Sequence, residues 1–312
     1  MKSDKIYYLE TNALYSLVNY FDLVTKKVEA HTSLLAMEEI VSQISEEDYY
    51  QRKSILTKLI ASKLKIMPYS PKEMIMAAFG IDISHLDKIL EEKKYLYEKI
   101  KLITRCESYE KYKEQVLKLY NIDITEEKRI EDQYDLETTE RLKEEVYKEI
   151  KIVKERRKKE KEICKKYGVQ RLSELLNHKK IEGVEYFEID VNKVFGFNNA
   201  TLECGEDARR ERMLLTGILD SLKIEYSEED VNDLIIKREK EKLCAFLLGS
   251  SFYQFTEIYH GKTPKRNDWV DIIHLIYLEN ENYVIVSDDK IYNDVTMETM
   301  RVNLQEFIKL CR

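Results

Sequence analysis

The longest stretch without proline constrains the fold of this chain most. After Pro68 and Pro71 no proline occurs until Pro264, and the 312 residues include only 3 prolines and 8 glycines. Proline interrupts helices and sheet ladders, and glycine favours turns, so this scarcity argues against a turn-rich all-β fold. Apolar residues between Leu86 and Ile103 recur at helical spacing. The sequence therefore predicts long helices in the middle of the chain.

Helix signals continue along this middle part. A narrow apolar stripe across Leu142–Val153 predicts a long charged helix, in a helical hairpin or coiled coil, that ends at Gly168. A capping-box pattern at Ser227 predicts another long helix, which extends to about Leu247. Residues 185–197 are ambiguous and are compatible with a short strand.

Both ends of the chain have α/β character instead. Near the N-terminus, Lys5–Leu9 is a short apolar run that predicts a buried strand. Thr11 or Asn12 is then placed to cap a helix, and His31–Ser33 marks the start of a second helix.

The C-terminal end repeats this alternation. Asp268–Leu278 predicts a helix, Tyr283–Val286 predicts a buried strand, and residues 302–310 supply a last strand or helix edge. We therefore predict one α/β domain in two halves, residues 1–45 and 264–312. Residues 46–263 form a large, mostly α-helical insertion between them.

Composition limits the cellular setting. No uninterrupted apolar stretch of about 18 residues is present, so we expect no membrane span. The five cysteines lie far apart without a C-x-x-C pair, which favours reduced thiols and a cytoplasmic location. The net charge of −7 counts against a general nucleic-acid-binding surface but is compatible with a nuclease that has a local basic patch.

Acidic residues follow both predicted end strands. Glu10 comes directly after the first strand, and Asp288 and Asp289 come just after the second. Asp268 and Asp271, three residues apart, share one face near a helix start. Active sites of open α/β sheets lie outside the carboxyl ends of the strands. Carboxylates that converge there repel one another unless a cation compensates them, and such hard oxygen ligands suit Mg²⁺ or Mn²⁺.

Each acidic motif also has an ordinary structural interpretation. Asn267-Asp268 is typical of a helix N-cap, and the segment 287–290, Ser-Asp-Asp-Lys, is typical of a polar turn. Glu38-Glu39 is typical of a solvated helix face. His274, on the apolar helix, is interpreted as a packed histidine. Only the order of the motifs and their strand contexts together favour a metal site.

In that order the motifs resemble those of the PIN-domain ribonucleases. The chain reads YYLETN at residues 7–12, AMEEI at 36–40, NDWVDIIHL at 267–275 and VIVSDDK at 284–290. The family pattern is a strand followed by D-T-N, a helix glutamate, a helix-borne aspartate, and an apolar strand that ends in T-x-D. The resemblance covers residues 1–45 and 264–312 and leaves the helical middle without a counterpart.

The resemblance implies a PIN-like parallel sheet flanked by helices and a metal-dependent endoribonuclease that hydrolyses RNA phosphodiester bonds with Mg²⁺ or Mn²⁺. It implies that Asn12 and Ser287 orient the carboxylates, and that Glu39, directly before Ile40, fits the helix position better than Glu38. It implies four catalytic carboxylates that also hold the metal: Glu10, Glu39, Asp271 and Asp289.

Two further acids are auxiliary candidates for the metal, Asp268 and Asp288. The interval usual in the family favours Asp271 over Asp268 and Asp289 over Asp288. Lys262, Lys265 and Arg266, just before the acidic helix, are candidates to contact a substrate phosphate.

One departure from the family pattern keeps alternatives open. Glu10 stands where the family has its first aspartate, and its carboxylate reaches about 1.5 Å further at most, a difference to which Mg²⁺ geometry is sensitive. A catalytically silent module that binds protein or RNA is therefore one alternative, and a structure-specific DNA nuclease is another. The insertion is predicted to select substrate, gate access, or mediate contact with a second copy or an inhibitor protein. A toxin, a defence nuclease and an RNA-processing enzyme all agree with the sequence.

Overall fold

The core of the molecule is a parallel β-sheet. The computed structural model describes residues 5–168, 205–260, 265, 268–296 and 298–312. Within them, five strands pair in the order β3-β2-β1-β4-β5, and every pair is parallel. The strands are β1 (Ile6–Leu9), β2 (Glu29–Ser33), β3 (Lys65–Met67), β4 (Tyr283–Val286) and β5 (Arg301–Val302). The predicted α/β class, with a parallel sheet flanked by helices, is confirmed.

Helices cover both faces of this sheet. In the described residues they are α1 (Thr11–Leu17), α2 (Phe21–Lys27), α3 (Leu34–Val41), α4 (Tyr49–Ala61), α5 (Pro71–Ala78), α6 (Asp87–Arg105), α7 (Tyr109–Tyr120), α8 (Ile124–Tyr167), α9 (Gly205–Leu222), α10 (Glu228–Lys237), α11 (Cys244–His260), α12 (Asp268–Ile273), α13 (Ile291–Val295) and α14 (Leu304–Cys311). Short 3₁₀ helices span Lys240–Leu243, His274–Tyr277 and Glu298–Met300. None of the described helices has an apolar stretch long enough to cross a membrane.

The central strands are the two that the sequence predicts most clearly. β1 and β4 lie side by side in the sheet, with Leu9 opposite Val286. The chain leaves the sheet directly after these two residues, at Glu10 and Ser287. This register places the polar residues that follow β1 and β4, which are far apart in sequence, side by side at the carboxyl ends of the strands.

Two of the other strands, β2 and β3, differ from the prediction. His31–Ser33 belongs to β2, and only its last residue begins a helix: the Ser33 side chain accepts a hydrogen bond from the backbone of Ala36 and caps α3. β3 lies at Lys65–Met67, so the sheet extends beyond the predicted boundary at residue 45. A strand of three residues is too short to show the alternation by which strands are recognised.

The helical middle agrees with prediction at several boundaries. α6 occupies the predicted segment, and α8 ends at Gly168, whose φ of +69° is the left-handed conformation that glycine adopts without strain. Ser227 forms its capping box, but α10 ends at Lys237 rather than near Leu247. The backbone turns at Arg238, whose guanidinium pairs with Glu211. Residues 185–197 lie outside the described residues.

Side chains of the middle segment pack into the hydrophobic core that covers the sheet. Side chains of β1 alternate between the two faces: Tyr7 and Leu9 join one buried apolar cluster and Tyr8 joins the other. The Tyr8 cluster includes Leu215 of α9 and Phe246 of α11. The other cluster includes Ile55 of α4 and Ile103 of α6, so the predicted insertion contributes to the hydrophobic core on both faces of the sheet.

Candidate active site

An open cleft lies at the carboxyl ends of β1 and β4. Its volume is about 1200 Å³. Because Leu9 and Val286 are paired in the sheet, the residues that follow them enter the cleft together. All six acids that the sequence analysis selected line it: Glu10, Glu39, Asp268, Asp271, Asp288 and Asp289.

Glu10 caps the first helix. Its two carboxylate oxygens accept hydrogen bonds from the backbone N–H of Asn12 (2.6 Å) and of Ala13 (2.9 Å). The cap predicted at Thr11 or Asn12 is therefore wrong, because the longer Glu10 side chain turns back onto the helix start. Burial raises the pKa of Glu10 to about 7, against the lowering effects of the His274 charge and of hydrogen bonds from the Asn12 backbone, Ser287 and the Ala13 backbone.

Glu39 is held from two sides. Helix α3 carries it into the cleft, where one carboxylate oxygen, Oε2, accepts hydrogen bonds from Thr11 Oγ1 and from His274 Nε2, the latter at 2.6 Å. Burial raises the pKa of Glu39, but the charge of His274 and the hydrogen bonds from His274 and Thr11 outweigh it and hold the pKa below its ordinary value. Glu39 therefore contacts the α1 side of the site through Thr11, and Glu38 lines the cleft as well.

Asp271 has a different environment. Its backbone carbonyl accepts a hydrogen bond from Tyr292 Oη at 2.9 Å, but no described residue donates a hydrogen bond to its carboxylate. Burial, and then the charge of Asp289, raise the pKa of Asp271 to about 8; His274 opposes them, while Glu39 and Glu10 add to them. The Asp271 carboxylate thus lies among other acids, and within the described part of the chain the charge of His274 offsets their effect only in part.

Asp289 is oriented by the two polar residues that the sequence analysis selected for such a role. Asn12 Nδ2 donates a hydrogen bond to Asp289 Oδ2 at 2.6 Å. Ser287 Oγ accepts one from the Asp289 backbone at 3.0 Å, and its hydroxyl also bonds to the Glu10 carboxylate. Asn12 and Ser287 therefore connect the acids that follow β1 with those that follow β4.

The two auxiliary acids make structural hydrogen bonds. Asp268 Oδ2 accepts from the backbone N–H of Lys265 at 3.0 Å and from Tyr253 Oη at 2.9 Å. Asp288 Oδ1 accepts from the backbone N–H of Leu304 at 2.9 Å, at the start of α14. Both acids line the cleft, and each also satisfies a backbone donor.

Basic residues stand at the rim of the cleft. Lys265 lines it and is exposed, whereas Lys262 and Arg266 lie outside the described residues. Lys290, next to Asp289, is also exposed and lines the cleft. Arg52 lines it too, but its guanidinium binds carbonyl oxygens at the end of α3 and the Asp48 carboxylate.

The sequence alone does not reveal the roles of three residues in the site. Thr11 and His274 both hold Glu39, and Tyr8 holds His274. His274 is indeed packed, at 1% exposure, but it is packed against the site. Its position three residues after Asp271, on the same helical face, is the signal that could have indicated this.

The donor set suits a hard divalent cation better than any other metal. All four principal candidates are carboxylates, and Glu10, which accepts hydrogen bonds from Asn12, Ala13 and Ser287, keeps one of its roughly four lone-pair sites. As the side chains stand, no group of three or more His, Cys, Asp or Glu in the described part of the chain is arranged to hold a metal ion. The residues therefore fit such a cation by the chemistry of their oxygens, although their side chains are not grouped around one point as they stand.

No protein-family model, curated protein or solved structure matches the chain. The structure by itself defines an α/β protein whose parallel sheet carries an acidic cleft at the carboxyl ends of its two central strands.

Proposed function

We propose that the protein is a metal-dependent endoribonuclease with a PIN-like fold. The observation that carries the proposal is the Asp271 carboxylate, which lies beside Asp289 in the cleft, receives no hydrogen bond from the described residues and has a pKa of about 8. Strongly perturbed carboxylates in a cleft are typical of functional sites. A cation is the simplest partner that compensates such a group.

The ligands would come from four separate elements: Glu10 after β1, Glu39 on α3, Asp271 on α12 and Asp289 after β4. Mg²⁺ or Mn²⁺ bound there supplies an activated water and stabilises the leaving oxygen of a phosphodiester. Asn12 holds Asp289 in place, and Ser287 holds Glu10.

Cationic side chains at the rim favour a phosphodiester substrate. Lys265 and Lys290 are exposed beside the acids, where they would contact phosphates on either side of the scissile bond. Ile130 of α8 also lines the cleft, which favours substrate selection as one role of the helical middle. A cytoplasmic location, expected from the wide spacing of the five cysteines, stays part of the proposal.

The hydrogen bonds of Glu10 favour a second candidate function, a catalytically silent module that binds protein or RNA. Both of its oxygens accept backbone hydrogen bonds, so this side chain already has a structural task as the cap of α1. Such a module would keep the carboxylates for folding and hydrogen bonding and would bind no metal.

Cleavage of RNA separates the two functions. We would incubate the wild type with single-stranded RNA, hairpin RNA and DNA of the same sequences, in Mn²⁺, in Mg²⁺ and in EDTA. Asp271→Asn and Asp289→Asn test the site. Asp22→Asn, an exposed aspartate on α2, is the matched control.

The nuclease proposal predicts cleavage of RNA in Mn²⁺ or Mg²⁺, none in EDTA, a loss of at least about 100-fold in both site variants, and normal activity in Asp22→Asn. Cleavage of DNA instead of RNA would change the substrate class. An inactive wild type whose melting temperature does not respond to either metal would favour the silent module.

A further inference from the structure

His274 lies behind the acidic cluster and contacts it. It is 1% exposed and begins the 3₁₀ helix that follows α12. Its Nε2 lies 2.6 Å from Glu39 Oε2, and its Nδ1 lies 2.6 Å from Tyr8 Oη. Both ring nitrogens are therefore engaged, and the imidazole cannot turn without breaking a buried hydrogen bond.

Tyr8 is itself held firmly. Its ring stacks on Tyr277 with centroids 5.5 Å apart and an interplanar angle of 12°. Its hydroxyl lies 2.7 Å from Ser33 Oγ, the same oxygen that caps α3. Tyr8, Ser33 and Tyr277 are all fully buried, so loss of any of these hydrogen bonds would leave an unsatisfied polar group.

The chemistry of the partners determines how His274 presents itself to Glu39. An ionised carboxylate only accepts hydrogen bonds, so the proton between His274 and Glu39 is on Nε2. The Tyr8 hydroxyl satisfies Nδ1 at the same time, which keeps the ring in this orientation. A connected series of buried groups thus runs from the cap of α3 through Tyr8 and His274 to the carboxylate that α3 carries.

We propose that His274 is a positioning residue: it fixes one oxygen of Glu39, so that the other oxygen, Oε1, faces the cleft as a metal ligand. No described residue donates a hydrogen bond to Oε1. The inference rests on the proposed metal site and adds to it a role for Tyr8, which orients His274. Residues that orient metal ligands commonly contribute about tenfold to 100-fold to metal affinity.

Mn²⁺ binding tests this role without any need for catalysis. The electron paramagnetic resonance signal of free Mn²⁺ gives the Kd of the full-length protein. We expect His274→Gln to raise Kd about tenfold to 100-fold and Tyr8→Phe to raise it about threefold to tenfold. In RNA cleavage at saturating Mn²⁺, kcat should fall in both variants while KM stays within about twofold of the wild type.

Tyr49→Phe is the matched control for Tyr8→Phe. Tyr49 is also fully buried, and its hydroxyl donates to the carbonyl oxygens of Ile103 (3.1 Å) and Cys106 (3.0 Å). It is not among the residues that line the cleft, and it belongs to the other apolar cluster. The Tyr49→Phe variant should lose about as much free energy of unfolding as Tyr8→Phe, while its Kd for Mn²⁺ stays that of the wild type. If His274→Gln does not fold, Tyr8→Phe, which keeps the ring, decides the question.

Nuclear magnetic resonance of the metal-free protein provides a second readout. With ¹⁵N-labelled histidine, the Nε2–H signal of His274 should persist in slow exchange with water, and Glu39→Gln should shift it. Absence of a protected Nε2–H signal would overturn the inference.

The outcomes separate this inference from the proposed function. If the wild type binds Mn²⁺ and cleaves RNA but His274→Gln and Tyr8→Phe have the same Kd and kcat as Tyr49→Phe, the positioning role is wrong and the nuclease stands. If the wild type binds no Mn²⁺ and cleaves nothing, both fail.

Discussion

Replacement of Asp271 by asparagine should stabilise the metal-free protein at high pH and leave it nearly unchanged at low pH. The pKa of Asp271 is about 8 in the fold, because of burial and the nearby Asp289 charge, against an ordinary value of 3.8. Below 3.8 the carboxyl is protonated in both the folded and the unfolded chain. Between 3.8 and about 8 only the unfolded chain ionises, so the free energy of unfolding falls as pH rises.

The magnitude follows from the gap between the two pKa values. At about 1.4 kcal/mol for each pH unit, the gap sets an upper limit of about 6 kcal/mol on the destabilisation above pH 8. Water and counterions in the open cleft reduce it, so we expect about 1–3 kcal/mol. The asparagine side chain carries no charge at any pH. The free energy of unfolding of Asp271→Asn should therefore exceed that of the wild type by this amount at pH 9, and the two should differ by under about 0.5 kcal/mol at pH 4.

Urea unfolding in EDTA at pH 4, 6, 8 and 9 measures the effect. The wild type, Asp271→Asn and the exposed control Asp22→Asn are compared in the same buffers. The control should follow the wild type at every pH. A difference between Asp271→Asn and the wild type that is the same at pH 4 and pH 9 would refute the electrostatic reasoning.

Three further outcomes are expected. Mn²⁺ at about 100 times its Kd should raise the free energy of unfolding of the wild type by about 2.7 kcal/mol, and an unchanged melting temperature would oppose this. The double variant Lys265→Ala, Lys290→Ala should weaken RNA binding and lower its salt slope by about 2; an unchanged slope would exclude phosphate contacts. Asp288→Ala, which removes the acceptor of the Leu304 N–H, should cost about 1 kcal/mol in thermal unfolding, and no loss would contradict that bond's contribution.

The sequence predicts those parts of the fold that have strong local signals. β1 and β4 are apolar runs bounded by polar residues, and Ser227 and Gly168 are helix boundaries with specific cap chemistry. β3 escapes prediction because its three residues carry no readable period.

In the candidate site, too, the sequence predicts some features and not others. Most of the carboxylates are visible in the sequence because they follow predicted strands or lie at a helix start, whereas Glu39, near the end of α3, is indicated by the family resemblance. The hydrogen bonds between Glu39 and His274, and between Asn12 and Asp289, join residues separated by 235 and 277 positions. The pairing of β1 with both β2 and β4 brings such partners together, and a single sequence does not reveal that pairing.

Crystals grown or soaked in Mn²⁺ and measured at the manganese absorption edge would test the proposed metal site most directly. We expect an anomalous difference peak bound by Asp271 and Asp289, together with Glu10 or Glu39, and no such peak in crystals of Asp271→Asn. A cleft without a peak at saturating Mn²⁺, in a protein whose Asp271 carboxylate keeps its present surroundings, would contradict the metal site and with it the proposed nuclease.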